Sequence, residues 1–157
     1  NETPTLLDAG ALKLLANETF SKITLHSQTV LTPHPGEAAE MLQITAKEVQ
    51  KNRIKSAKEL QKKYGCIIVL KGNGTIVCDK SNVYLCSSGG PELAVAGSGD
   101  VLSGVIGSLM AQGLAPIDAA ITGVGIHAQA GEEFAKDVGK IGLAAGELIP
   151  YIRKFLN

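Results

Sequence analysis

Gly90-Pro91-Glu92-Leu93-Ala94-Val95-Ala96-Gly97-Ser98-Gly99-Asp100-Val101-Leu102-Ser103-Gly104 is the stretch that governs how the rest of the chain is read. Its small residues run directly into Val101, Leu102, Val105, Ile106, Leu109 and Met110, an apolar series at helical spacing. The pattern predicts a helix from about Gly99 to Gln112. Gly97 and Gly99 leave backbone amides unobstructed at its start, where orphan donors and the helix dipole favour an anion. Asp100 is an unexpected neighbour for an anion, because it brings negative charge to the same place. A carboxylate beside an oxyanion cradle suits a general base, or a group that orients a hydroxyl. The residues alone allow a plainer reading, in which Ser98 caps the helix and Asp100 complements its dipole.

Working outward, strands and helices alternate. Thr5-Leu6-Leu7 reads as a short strand and Asp8 to Ala16 as a helix. Thr29 to Thr32 is a second strand, stopped by Pro33 and Pro35, with helix resuming from Gly36 to Leu42. Thr45-Ala46-Lys47-Glu48 is a capping box opening a helix to about Tyr64, with Val49, Ile54, Ala57 and Leu60 on one side. Ile67-Ile68-Val69-Leu70 is a continuous apolar run, as in a strand buried on both faces. Gly72-Asn73-Gly74 turns it into Thr75 to Cys78, a hairpin signal. Asp79 to Asn82 turns again into Val83 to Leu85. Helices from Pro116 to Ala135 and Ala144 to Leu156 complete the chain. Buried strands alternating with helices imply an α/β layered sheet.

Composition excludes several classes of function. Lysine plus arginine equals aspartate plus glutamate at 15 each, against the positive excess of a nucleic-acid binder. No apolar run approaches the roughly 20 residues that span a bilayer, and the first residues carry no secretory pattern. Cys66, Cys78 and Cys86 lack metal-ligand spacing and read as small core residues in a reducing cytoplasm.

Three segments now acquire a common meaning. The run Gly97-Ser98-Gly99-Asp100 resembles the anion hole and catalytic aspartate of ribokinase-like enzymes. The longer phrase from Gly90 to Gly104 looks like one branch of them, the ADP- or ATP-dependent NAD(P)H-hydrate dehydratases. Thr32-Pro33-His34-Pro35-Gly36-Glu37 and Lys71-Gly72-Asn73-Gly74-Thr75 match two further motifs of that branch, in order. The resemblance covers nearly the whole chain. It implies a ribokinase-like three-layer α/β/α sandwich with a mostly parallel central sheet, of which residues 1–157 form the C-terminal portion. The rest of such a domain would precede Asn1, in the same protein or supplied by a partner.

The resemblance also implies roles. Asp100 is the catalytic base and touches the substrate; amides of Gly97, Ser98 and Gly99 form the anion hole. Lys71, Gly72, Asn73, Gly74, Thr75 and Gly99 bind the adenine nucleotide, ADP or ATP. His34 contacts hydrated NADH or NADPH, and it stands where related kinases carry Asn. Glu37 sits in the outer shell of a magnesium ion (Mg2+) held by the nucleotide phosphates. His127, among small helical residues, reads as a packing residue. Two positions depart from the branch: Gly10 replaces the second Asp of an Asp-Ala-Asp-Ala-Leu segment, and Gly90 replaces Asn. The expected partners are these small molecules and further copies of the chain, with no nucleic acid and no membrane. A kinase of a small hydroxylated substrate, or a nucleotide-binding remnant without turnover, remains an alternative.

Overall fold

The alternation along one strand organises the molecule, described by a computed structural model over residues 3–17, 23 and 25–156. All four residues of β3 (Ile67–Leu70) are buried. Ile68 and Leu70 point into one apolar cluster, while Ile67 and Val69 point into another. The same division holds for β2 (Thr29–Leu31), where Leu31 and Val30 take opposite sides, and for β4 (Ile76–Cys78), where Ile76 and Cys78 oppose Val77. A sheet with two apolar faces needs a layer on each side. α1 (Gly10–Ala16), α2 (Pro35–Leu42), α3 (Ala46–Lys51) and α4 (Arg53–Tyr64) cover the first face. α5 (Ser98–Ala111) and α6 (Pro116–Asp137) cover the second. α7 (Leu148–Phe155) then packs Leu148 and Ile152 against Phe134 of α6. Each fully buried leucine, isoleucine or phenylalanine in these layers contributes about 1.5–3 kcal/mol of transfer free energy.

With β1 (Thr5–Leu7) and β5 (Val83–Leu85), the sheet follows chain order, β1-β2-β3-β4-β5. β1, β2 and β3 are parallel, whereas β3-β4 and β4-β5 are antiparallel. The sheet is therefore mixed, and its parallel part is confined to β1–β3. The two short turns, at residues 71–75 and 79–82, can only reverse the chain; a parallel return needs a crossover of a dozen residues or more.

This topology gathers the three motifs. Asp8, His34 and Lys71 follow the C-terminal ends of three parallel strands, so they emerge along one edge of the sheet, where ligands of such folds bind. Leu70 pairs with Ile76, and Ile76 with Leu85. That register brings Thr75 and the segment after Leu85 to the same edge.

Several boundaries differ from expectation. The helix expected from the Thr45 capping box to Tyr64 is two helices. Asn52 departs from helical geometry (φ −147°, ψ 70°) and its side chain accepts from Lys55 N at 3.3 Å, ending α3 and opening α4. The break changes the helical phase, and Ile54, expected beside Val49 and Ala57, is 49% exposed. The last helix begins only at Leu148, after a 3₁₀ turn over Ala145–Glu147. A second 3₁₀ turn, Pro91–Leu93, precedes α5. Cys66 and Cys78 are core residues as expected, whereas Cys86 is only half-buried at the edge of a cluster; burial pushes the Cys66 thiol up to about 12.

Candidate active site

α5 starts without a side-chain cap. Its N-cap is Gly97, held at φ 83°, a left-handed conformation that glycine adopts without strain. Ser98 is the first helical residue, and its hydroxyl lies 3.2 Å from Nε2 of His127 instead of capping. The plain capping reading of Ser98 therefore fails. The Ser98 amide donates to Val95 O at 3.3 Å, so of the three amides expected in the anion hole this one is already engaged. Those of Gly97 and Gly99, joined by that of Asp100, have no hydrogen-bond partner among the described residues. Asp100 stands in the first turn, exposed and likewise without a partner among them.

Lys71 is the second element of the site. A Cβ built on Gly99 would meet its Nζ at 3.1 Å, so the ammonium lies directly over the glycine of the cradle. The sequence suggested only that Lys71 serves the adenine nucleotide; the structure sets its charge at the anion-binding tip. What holds it there is Asp8. Lys71 Nζ donates to Asp8 Oδ1 at 3.0 Å, with both side chains largely buried, 17% and 13% exposed. Asp8 Oδ2 accepts from Ser103 Oγ at 2.6 Å, one helical turn beyond Asp100, and Ser103 Oγ lies 3.3 Å from Thr32 Oγ1. Burial alone would raise the Asp8 carboxyl, but the hydrogen bond from Ser103 and the ammonium of Lys71 together hold it below its ordinary value. Asp8 was not among the expected site residues. The Asp8-Ala9-Gly10 segment resembles a family motif, but nothing local in it shows a partner 63 residues away.

His34 and Glu37 form a reciprocal cap on α2. His34 Nδ1 accepts from the amides of Gly36 (3.0 Å) and Glu37 (3.3 Å), and the His34 amide donates to Glu37 Oε2 at 2.8 Å. With Nδ1 accepting, the ring hydrogen belongs on Nε2. The imidazole is exposed while Glu37 is buried. Glu37 Oε1 makes no hydrogen bond among the described residues, which fits an indirect, water-mediated contact to a cation. The described residues contain no cluster of three or more acidic, histidine or cysteine side chains able to enclose a metal by themselves.

His127 does more than pack. It is buried, and Nε2 donates to the Ser98 carbonyl at 3.0 Å, anchoring the first residue of α5 from beneath. Burial lowers its pKa, outweighing the opposite effect of the Ser98 carbonyl. The departure at Gly90 also has a structural counterpart. A Cβ there would lie 2.5 Å from Glu92 Oε2, so the buried Glu92 carboxylate fills the space beside residue 90.

All eleven expected site residues face one cavity of about 740 Å³. His34, Glu37, the Lys71–Thr75 loop and Gly97 to Asp100 line it together with Asp8 and His127. Among the described residues, Lys71 is its only lysine or arginine.

Comparisons with known proteins agree. A family model described as NAD(P)H-hydrate dehydratase matches residues 1–154. The chain is 43% identical to the bifunctional NAD(P)H-hydrate repair enzyme Nnr of Coxiella burnetii, over 99% of this chain and 31% of that protein. It is 38% identical to the ADP-dependent (S)-NAD(P)H-hydrate dehydratase of Neisseria meningitidis, over 99% of this chain and 54% of that one. The crystal structure of the Bacillus subtilis ADP/ATP-dependent NAD(P)H-hydrate dehydratase, co-crystallised with ATP and Mg2+ and soaked with CoA, superposes with a TM-score of 0.86 at 32% identity, covering 98% of this chain and 55% of that chain. The chain thus spans about a third to a half of the length of these relatives. Three motifs on one cavity, the three-layer fold and the family match from residue 1 to 154 all agree: this chain belongs to the NAD(P)H-hydrate dehydratase family.

Proposed function

We propose that the protein containing this chain uses ADP or ATP to dehydrate hydrated NADH or NADPH. The observation that carries the reading is the juxtaposition at one cavity of an exposed, unpartnered Asp100, uncapped amides at the start of α5 and the Lys71 ammonium over Gly99. Asp100 accepts the proton of the substrate hydroxyl as that oxygen attacks the terminal phosphoryl group. The amides of Gly97, Gly99 and Asp100 and the Lys71 ammonium stabilise the charge on the phosphoryl oxygens in transit. The nucleotide leaves one phosphate shorter. The ring carbon–oxygen bond then breaks with loss of inorganic phosphate, and a proton leaves the adjacent carbon to restore the double bond of reduced nicotinamide.

Mg2+ would travel with the nucleotide phosphates and neutralise their charge, with Glu37 reaching it through water. His34, pinned as the cap of α2 with Nε2 3.5 Å from Glu37 Oε2 and its ring exposed at the cavity, is suited to orient the nicotinamide nucleotide. A cytoplasmic location accords with three free thiols, two of them buried. Association of copies is supported by exposed Val138, Ile141, Ile149 and Leu156.

Asp100→Asn tests the assignment. The variant should keep its affinity for ADP and lose turnover by at least about a hundredfold, the size expected for a general base. Near-normal phosphate release by the folded variant would remove Asp100 from the chemistry.

A further inference from the structure

We propose that Arg53 is a positioning residue for the adenine nucleotide, tying back the carbonyls of residues 70, 71 and 73 so that the amides of the 72–74 loop are left to the cavity. The proposal rests on the nucleotide-binding reading of this cavity.

Arg53 lies behind the loop. Its Nη2 donates to Leu70 O at 3.1 Å and to Lys71 O at 3.3 Å, and its Nη1 donates to Asn73 O. The intervening carbonyl, of Gly72, accepts from Thr75 Oγ1 at 3.2 Å. Four successive carbonyls are thus turned to partners within the chain. The amides are the reverse. That of Lys71 is held by Pro33 O at 2.9 Å, while those of Gly72, Asn73 and Gly74 have no partner among the described residues. These N–H groups and the Lys71 ammonium are left to the cavity, where the Gly74 carbonyl and the Asn73 carboxamide are the only loop acceptors without a partner among the described residues. Such a loop suits acceptors, the phosphate oxygens or ring nitrogens of a nucleotide, because the carbonyl dipoles of residues 70–73 are turned to partners within the chain.

The placement of Arg53 is costly without this role. It is the first residue of α4, where the helix dipole disfavours a cation. Burial lowers its pKa, and its Nε is buried with no partner among the described residues. The three carbonyls offset those costs. The break at Asn52 starts α4 at this residue and so sets the guanidinium against the loop. A Cβ on Gly72 would lie 3.0 Å from Nη2, so a side chain there would push the guanidinium away from the loop. Lysine is a poor substitute, because a point charge cannot span three carbonyls as the planar fork does.

The test uses the complete protein, with ADP affinity measured by calorimetry and steady-state kinetics run on hydrated NADH. Arg53→Ala should raise the Kd for ADP at least about tenfold, while KM for the hydrate and kcat at saturating nucleotide stay within about twofold. Arg53→Lys should recover only part of the loss. Guanidinium ion added to Arg53→Ala should restore ADP affinity, whereas tetramethylammonium at equal concentration should not. Unchanged ADP affinity in a folded Arg53→Ala overturns the proposal. So does equal loss of both ligands without rescue, which marks general damage. If the unsubstituted protein binds no ADP, the nucleotide-site reading itself is wrong, an outcome distinct from either.

Discussion

Asp8→Asn changes one charge and almost no volume, so its consequences can be worked from the geometry. Asp8 serves two donors on different oxygens, Lys71 Nζ at 3.0 Å and Ser103 Oγ at 2.6 Å. An asparagine has one acceptor oxygen: placed on Lys71 it leaves its NH2 to donate to the Ser103 hydroxyl, and placed on Ser103 it turns its NH2 on the ammonium. The ion pair is lost in either rotamer. Exposed pairs contribute about 0–1 kcal/mol, and removing one partner of a fully buried pair costs about 3–5 kcal/mol. With side chains 13% and 17% exposed, the expected loss lies between, about 1–3 kcal/mol at pH 7. Urea denaturation of Asp8→Asn, Lys71→Met and the double variant isolates the pair; a coupling energy of about 1–2 kcal/mol is expected. The pH dependence has a definite sign. The Asp8 carboxyl is held below its ordinary 3.8 in the folded state. Its stabilisation is therefore present above 3.8 and is lost as pH falls through the lowered value. A coupling below about 0.3 kcal/mol at pH 7 would show that Asp8 does not hold Lys71.

Gly99→Val should weaken ADP binding by about tenfold or more, since its Cβ would meet Lys71 Nζ at 3.1 Å and displace an ammonium that Asp8 pins; calorimetry on the folded variant checks this, and unchanged affinity would empty the cradle of meaning. His127 titrates below its ordinary 6.5 when folded, so the unfolded chain takes up the proton first and stability falls as pH drops below about 6.5. His127→Gln should flatten the decline in melting temperature between pH 7 and 5, and an unaltered slope would contradict the buried, neutral imidazole.

Periodicity carried most of the architecture. The apolar run Ile67 to Leu70 announces a strand buried on both faces, and the glycine turn after it announces the reversal. What the sequence hid was relational. Asn52 reads as an ordinary polar position inside a helical pattern, yet its side chain caps a new helix and exposes Ile54. Asp8 and Lys71 are 63 residues apart, and only the parallel pairing of β1, β2 and β3 brings their strand ends together. The anion hole was legible because helix start, glycines and aspartate are contiguous. Its finer make-up was not, because engagement of the Ser98 amide depends on the turn that brings Val95 O to it. His127 likewise looks like a packing residue until α6 lies under α5 and its ring meets the Ser98 carbonyl.

The most direct measurement follows absorbance at the reduced-nicotinamide band while the complete protein is given hydrated NADH, Mg2+ and ADP or ATP, beside a screen of pyrimidine and sugar alcohols. A dehydratase regenerates NADH and releases inorganic phosphate, because its phosphorylated intermediate eliminates. A kinase on the same scaffold leaves a stable phosphorylated product. Recovery of absorbance in step with phosphate release is the result expected here. Efficient phosphorylation of a screened alcohol, with hydrated NADH left untouched, would contradict the dehydratase reading and assign the cavity to kinase chemistry.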